Sequence, residues 1–152
     1  MAGHDDFGIQ LGLAYVAFVD WLNAELAAAG FDDLGPAYGY MFRALEPGPS
    51  TLSALAEGLR ITTQGTAKIL TEMQSRGYLH RTAHPDDARS RLVELTDRGR
   101  QALTTAGDLH GRYEEQLRAR IGPRDAAALR RALGAMLALA DVDPSSRLLR
   151  PI

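Results

Sequence analysis

Cysteine is absent from this chain of 152 residues. Without thiols the chain forms no disulfide, holds no thiolate-ligated metal and carries no thiol-based redox switch. It also lacks an unbroken run of about eighteen apolar residues, so we expect no membrane span. The first ten residues hold Asp5 and Asp6 but no Lys or Arg, which argues against a signal peptide and for a cytoplasmic protein.

Lysine is also scarce, since Lys68 is the only one among 17 Lys and Arg residues. The net charge of −2 is unevenly spread: residues 1–50 hold one Arg against seven acidic residues, and residues 51–100 hold eight basic against six acidic ones. Exposed charges more than about 8–10 Å apart are screened, so the local sign of charge decides attraction to phosphate. The basic middle of the chain is compatible with nucleic acid, and the acidic first third should face away from it.

The middle of the sequence has the pattern of a helix-turn-helix. Thr51 can cap a short helix, and Arg60-Ile61-Thr62 interrupts the helical spacing that follows. Thr62 can cap a second helix, from Thr63 to about Arg76, which Gly77 ends. The apolar residues of the two helices are Leu52, Leu55, Ala56, Leu59, Ile69, Leu70 and Met73.

Two strands with alternating apolar residues come next, Tyr78 to Ala83 and Arg91 to Leu95, joined by a charged loop over residues 84–90. A hairpin beside a helix-turn-helix can grip duplex DNA in two grooves. The second helix would enter the major groove, and an arginine of the loop the minor groove. The sequence therefore predicts binding to double-stranded DNA.

Four short motifs in this region resemble the MarR family of bacterial transcriptional regulators. They are Leu55-Ala56, Gly77-Tyr78-Leu79-His80-Arg81, Pro85-x-Asp87-x-Arg89 and Leu95-Thr96-Asp97-Arg98-Gly99. The resemblance implies a winged helix-turn-helix homodimer that represses or activates promoters and is often released by small ligands or oxidants. One branch of the family senses peroxides through a reactive cysteine, and the composition excludes that branch here.

We predict one domain over residues 1–152, mainly α with a small β-hairpin wing. The winged helix-turn-helix lobe would span residues 34–99, between dimerisation helices over residues 7–29 and 97–152. Residues 7–29 are apolar almost all round, which predicts a helix buried on several sides. Gly35-Pro36 should open the next helix, Thr96 the fifth, and Gly122-Pro123 the last.

The outer helices carry apolar faces that favour association with a second copy. Packing within one chain is the alternative for part of these residues. In the second helix of the chain, Tyr38, Met41, Phe42 and Leu45 should point inward. The last helix offers Leu129, Leu133, Met136, Leu137 and Ala140, and the tail adds Leu148, Leu149 and Ile152.

Eleven residues are candidate DNA contacts: Thr51, Thr62, Thr63, Gln64, Gly65, Thr66, Lys68, Thr71, Arg76, Arg89 and Arg91. Those expected to point outward from the second helix of the motif are Thr63, Gln64, Thr66, Lys68 and Thr71. Glutamine can pair with adenine, threonine can touch the thymine methyl, and lysine suits guanine or phosphate. Ser53 and Arg81 are further candidates for phosphate contacts.

Two positions in this set leave alternatives open. Glycine inside a helix costs about 1 kcal/mol relative to alanine, so Gly65 either allows close approach to DNA or avoids a clash within the protein. Arg89 is the first candidate for the minor groove. Asp87 should pair with an arginine and stiffen the loop, although an exposed pair of this kind can contribute little.

Aromatic residues of the outer helices and the lobe would surround the junction between them, where a small aromatic or phenolic effector could bind. They are Tyr15, Trp21, Tyr38, Phe42, His110 and Tyr113. Aromatic residues at helical spacing more often form an ordinary core, which is the alternative here.

Metal binding and catalysis find little support. His80 and His84 are four residues apart, but on a strand and its loop this spacing does not align ligands as a helix would. Even with Asp86 and Asp87 nearby, we predict no metal and no cofactor. The sequence has no glycine-rich phosphate loop, nucleophile elbow or His-Glu-x-x-His motif, so we do not expect an enzyme.

These patterns predict a DNA-binding protein, and the family resemblance implies a homodimeric transcription regulator, expected to be a ligand-responsive repressor that binds an inverted-repeat operator. The alternative is a small-molecule-binding or protein-interaction homologue of the same fold that has lost DNA binding. The net charge of −2 keeps this alternative open.

Overall fold

The computed structural model describes residues 6–139. Met1 to Asp5, Ala140 and the apolar residues of the tail lie outside that range. Within it, six helices and a three-stranded antiparallel sheet follow one another. They are α1 (Phe7–Ala28), α2 (Tyr38–Leu45), β1 (Ser50–Thr51), α3 (Leu52–Leu59), α4 (Thr63–Ser75), β2 (Leu79–Ala83), β3 (Arg91–Leu95), α5 (Asp97–Ile121) and α6 (Pro123–Leu139).

The helix-turn-helix is confirmed, and its caps are the predicted ones. The Thr51 hydroxyl accepts the Ala54 amide at 3.2 Å, and the Thr62 hydroxyl accepts the Gly65 amide at 3.0 Å. Arg60 separates the two helices in the left-handed conformation, with φ of 53°. The Gly77 and Tyr78 amides donate to carbonyls of the last turn of α4, and Gly77 has φ of 76°. This glycine-terminated Schellman geometry explains why α4 stops where the sequence predicts.

The hairpin is confirmed with boundaries one residue from those expected. β2 pairs with β3 from Leu79↔Leu95 to Ala83↔Arg91. β1 pairs with the other edge of β3, which gives the order β1-β3-β2. The sequence did not predict β1, because a strand of two residues, one of which also caps α3, is too short for an alternating pattern.

The core lies between α2, α3, α4, the sheet and the first half of α5. Tyr78 is fully buried at its centre and contacts the rings of Tyr38 and Phe42 edge-on. The four residues expected to point inward from α2 are buried, as predicted. The start of α2 was wrong: Gly35 and Pro36 form a turn, with the Tyr38 amide donating to the Gly35 carbonyl at 3.1 Å.

α5 is anchored on the sheet through a close approach at Gly99. The Thr96 amide donates to the Tyr78 carbonyl at 3.1 Å, and the Thr96 hydroxyl caps α5 by accepting the Gly99 amide. A Cβ at Gly99 would overlap that same Tyr78 carbonyl oxygen. Glycine at this position therefore fixes the distance between α5 and the sheet.

The outer helices are poorly covered within one chain. Leu26 is the one buried residue among the described positions of α1, and α6 has none. The expectation that α1 is buried on several sides is therefore not met by a single chain. By length and composition α1 would also pass as a membrane-spanning helix, with a mean hydropathy of 1.2. That test does not separate such helices from apolar helices that pack on protein.

Candidate nucleic-acid interface

The N-terminal half of α4 presents polar side chains to solvent. Thr63, Gln64 and Lys68 are exposed, and Thr62 is exposed with its hydroxyl engaged in the cap. These residues share one end of α4, where hydrogen-bond donors and acceptors point away from the core. A short helix with such an end can place side chains against base edges in a major groove.

Thr66 does not belong to this exposed set, and its predicted outward orientation was wrong. It has 0% exposure, and its hydroxyl donates to the Thr62 carbonyl at 3.0 Å. Position 66 lies four residues before Leu70 and seven before Met73, so it continues the buried stripe of α4. Its hydroxyl is satisfied by the backbone within the helix, which permits burial.

A neighbouring atom within the protein helps to explain why position 65 is a glycine. A Cβ at this position would lie 3.0 Å from the Thr62 hydroxyl oxygen that caps α4. The clash within the protein, one of the two alternatives from the sequence, is therefore supported by geometry. Close approach to DNA stays a prediction.

Thr71 and Arg81 connect α4 to the hairpin. The Thr71 hydroxyl donates to the Ala67 carbonyl at 2.8 Å and accepts from the Arg81 guanidinium at 3.4 Å. Both residues are exposed. This contact places a basic side chain between the exposed side of α4 and the wing.

The tip of the wing is an ordered turn. The Asp87 carboxylate accepts the Arg89 backbone amide at 2.9 Å, and the Asp87 carbonyl accepts the Ser90 amide at 3.0 Å. The expected pairing of Asp87 with an arginine side chain is replaced by this backbone contact. The loop is stiffened all the same, and the Arg89 guanidinium has no hydrogen bond or ion pair among residues 6–139.

His80 and His84 both have partners within the hairpin. The His80 ring lies 3.6 Å from the Glu94 carboxylate across the hairpin, while the His84 ring accepts the Asp86 amide at 3.1 Å. Arg91 opens β3 and is exposed. Over the described residues, no group of three His, Asp or Glu side chains is placed to hold a metal ion.

The two remaining candidates have structural partners. Thr51 uses its hydroxyl in the cap of α3. The Arg76 guanidinium donates to the Asp33 carbonyl at 2.5 Å and lies 5.4 Å from the centre of the Tyr38 ring. Arg76 follows the C-terminal end of α4, away from the exposed N-terminal half. Its contact with Asp33 therefore holds the C-terminal end of the helix.

Asp33 and Arg98, which were not singled out from the sequence, join the lobe to α5. The Asp33 carboxylate accepts from the Tyr78 hydroxyl and from Arg98 at 3.2 Å. The Tyr78 hydrogen bond, with Arg98 beside it, lowers the pKa of Asp33. Burial and the same carboxylate raise the pKa of Tyr78 to about 12. The partners are 45 and 65 residues apart in the chain, so no local pattern could reveal them.

The six aromatic residues predicted to line a pocket fall into separate groups. Tyr38 and Phe42 are buried in the core with Tyr78. Trp21, His110 and Tyr113 surround Phe18, with ring centres 4.9 to 6.5 Å apart, where α1 meets α5. Tyr15 is exposed.

The rings grouped around Phe18 are partly exposed to solvent. Burial, together with the charge of Arg43, lowers the pKa of His110. Beyond Tyr113, an open groove of about 580 Å³ runs along α5 and is lined by Gln116, Leu117, Ala119 and Arg120. Residues of α5 alone line this groove, so it is open on one side.

Residues 32–90, from the loop that carries Asp33 to the wing, match the model of the MarR family. Over these residues the chain is similar to the MarR family. A comparison with curated proteins gave no match.

Solved structures of MarR-type proteins share the fold over most of this chain. Streptococcus pneumoniae FabT in complex with DNA is 16% identical, with a TM-score of 0.77 over 91% of this chain and 98% of that one. RV1404 from Mycobacterium tuberculosis is 22% identical, with a TM-score of 0.76 over 91% and 94%. The transcriptional repressor CouR, bound to a 23-mer DNA duplex, is 27% identical, with a TM-score of 0.66 over 86% and 91%.

The MarR-type fold therefore extends beyond residues 32–90 into α1, α5 and α6. The prediction of a mainly helical fold with a small wing is confirmed. In this winged helix, α4 and the hairpin lie on one lobe, and α5 leads away from it.

Proposed function

We propose that the chain is a MarR-type DNA-binding transcription regulator, a repressor that binds an inverted-repeat operator as a homodimer. The observation that carries the proposal is the exposed polar end of α4 beside a stiff hairpin with a free arginine. The α4 end would lie in the major groove, and Arg89 in the adjacent minor groove. CouR, described as a transcriptional repressor and bound to DNA, supports the choice of repressor.

A second copy of the chain is the proposed cover for the outer helices. Phe7, Leu13 and Val16 of α1 are more than half exposed, and Leu133 and Leu137 of α6 are also exposed. Exposed apolar surface of this extent is typical of an interface between subunits. The same association favours a cytoplasmic dimer over insertion of α1 into a membrane.

We expect the purified chain to be a dimer at micromolar concentration. Sedimentation equilibrium should give the mass of two chains, because the faces of α1 and α6 would be mutually buried. Val16→Asp should shift the mass towards one chain, whereas Asp20→Asn on the same helix should not. A monomeric wild-type mass at that concentration would contradict the proposed homodimer.

An effector is proposed at the junction of α1 and α5. The ring group of Phe18, Trp21, His110 and Tyr113 offers aromatic walls with polar tips, which suits a small aromatic or phenolic compound. A compound that binds better to a dimer with wrongly spaced α4 helices would release DNA by a shift in populations.

Arg89→Ala should weaken binding to the specific duplex by about 1–3 kcal/mol, the range for a positioned arginine contact. The turn should survive, because its hydrogen bonds use the Arg89 backbone amide and the Asp87 side chain. Fluorescence anisotropy with a labelled duplex at moderate salt measures the change.

Arg124→Ala is the matched control for Arg89→Ala. It removes the same charge at the start of α6, which lies at the far end of the 25-residue α5, about 37 Å from the sheet. We expect it to bind as the wild type does. Equal affinity of Arg89→Ala and wild type, with the fold intact, would show that the wing does not read the minor groove.

A further inference from the structure

Three segments of the chain meet at Asp33, in the loop between α1 and α2. Its carboxylate accepts from the Tyr78 hydroxyl and from Arg98 at 3.2 Å, and its carbonyl accepts from Arg76 at 2.5 Å. Arg98 also donates to the Tyr78 hydroxyl at 3.1 Å, and its guanidinium lies 4.7 Å from the centre of the Tyr78 ring. The side chains of Asp33, Tyr78 and Arg98 close a ring of contacts, and Arg76 adds a contact to the Asp33 backbone.

The partners of Asp33 belong to two other parts of the molecule, the C-terminal end of α4 and the start of α5. Arg76 caps the C-terminal end of α4, and Tyr78 comes two residues later, with its amide bonded to the Met73 carbonyl at 2.9 Å. Arg98 is the second residue of α5. Asp33 itself lies five residues after the end of α1. The contacts therefore join the rear of α4 to both helices that lead out of the lobe.

We propose that Asp33 is a positioning residue that sets the angle of α4 against α1 and α5. This inference rests on the proposed function, because the angle matters only if two α4 helices must meet DNA at a fixed separation. α4 has 13 residues and is about 20 Å long, and it is held at its rear end. A tilt of about 10° there would move its N-terminal end by about 3 Å, close to one base-pair step.

The ion pair alone would not hold this angle. The side chains of Asp33 and Arg98 are 36% and 40% exposed to solvent, so water and salt screen the attraction between them. The Tyr78 hydroxyl is different, because its residue is fully buried and its hydroxyl is shared by Asp33 and Arg98. Both donors share the Asp33 Oδ1 oxygen, and the charge of the carboxylate makes these hydrogen bonds stronger than those to a neutral amide oxygen.

Asp33→Asn is the direct test, with Asp32→Asn as the matched control. The two variants remove the same charge from neighbouring residues, but Asp32 is exposed and outside the ring of contacts. Binding is measured for the wild-type operator and for duplexes whose half-sites are moved one base pair closer or further apart. Thermal melting and sedimentation of each variant check the fold and the dimer.

We expect Asp33→Asn to bind the wild-type operator about tenfold more weakly, within the range of positioning effects. Its preference for the wild-type spacing should shrink towards equal binding of all three duplexes, because α4 would sample several angles. Asp32→Asn should keep the affinity and the spacing preference of wild type. Tyr78→Phe, which removes one oxygen and keeps the buried ring, should reproduce the loss of preference.

The outcomes separate the inference from the proposed function. If wild type binds no selected duplex, the proposed function fails and this inference fails with it. If wild type binds but Asp33→Asn and Tyr78→Phe keep its spacing preference, the positioning role is overturned and the proposed function stands. An equal loss of affinity on all three duplexes, with the preference unchanged, would show loss of stability only and would also overturn the role.

Discussion

Gly99→Ala should destabilise the folded chain by about 3 kcal/mol or more, at the upper end of overpacking effects. The added Cβ would overlap the Tyr78 carbonyl oxygen and lie 3.3 Å from the Leu95 Cβ. Neither side can yield easily, because the Thr96 amide is bonded to that carbonyl. The first turn of α5 would have to move away from the sheet. Urea denaturation followed by circular dichroism measures the change in the free energy of unfolding.

Gly107→Ala is the control for this variant, since it lies in the same helix with no atom within 4 Å of its added Cβ. Alanine there should stabilise the chain by about 0.5–1 kcal/mol through helix propensity. A Gly99→Ala variant as stable as wild type would show that the approach of α5 to the sheet is looser than described.

Inserting about 5 bp between the two half-sites of the operator should abolish specific binding, because it rotates one half-site by about half a turn of B-DNA. A symmetric dimer presents its two α4 helices to one face of the duplex, about one helical turn apart. The far half-site would then face away from its helix. Binding that is independent of sequence and sensitive to salt should survive.

Anisotropy titrations of the parent and lengthened duplexes measure this effect. Inserting about 10 bp adds a full turn, so that both half-sites again face the same side of the duplex. This duplex is the control for the added length alone. Tight binding to the duplex with about 5 bp added, or to a single half-site, would mean that the subunits do not read DNA together.

The helix-turn-helix and the wing were predictable because their signals are local. Thr51, Thr62 and Thr96 cap helices through hydroxyls that reach three residues ahead, and Gly77 ends α4 through its own backbone conformation. Such contacts depend on residue type and spacing alone. The alternating residues of the hairpin set its register in the same way.

Thr66 and Asp33 show where local signals stop. Residue type suggested that Thr66 points outward, although its spacing to Leu70 placed it on the buried stripe, and spacing decided the outcome. Asp33 gains its role only when Tyr78 and Arg98 fold against it. A sequence pattern could have found Thr66, whereas no pattern of neighbouring residues leads to Asp33.

The outer helices were the hardest to interpret. Their apolar residues favour association with a second copy, which stays a prediction, and one chain leaves much of α1 and α6 open. The aromatic residues divided between the core and the junction of α1 and α5 because Tyr38 and Phe42 face Tyr78. Helical spacing predicts a face, and the partner of that face depends on the tertiary and quaternary structure.

Selection of duplexes from a random pool by the purified protein tests the central proposal most directly. The bound fragments are sequenced, and their affinity is then measured at rising salt concentration. We predict enrichment of one inverted repeat with half-sites about 10 bp apart from centre to centre, and affinity that falls steeply with salt. A pool without an enriched sequence, bound weakly at every salt concentration, would contradict the proposal and favour a homologue that has lost DNA binding.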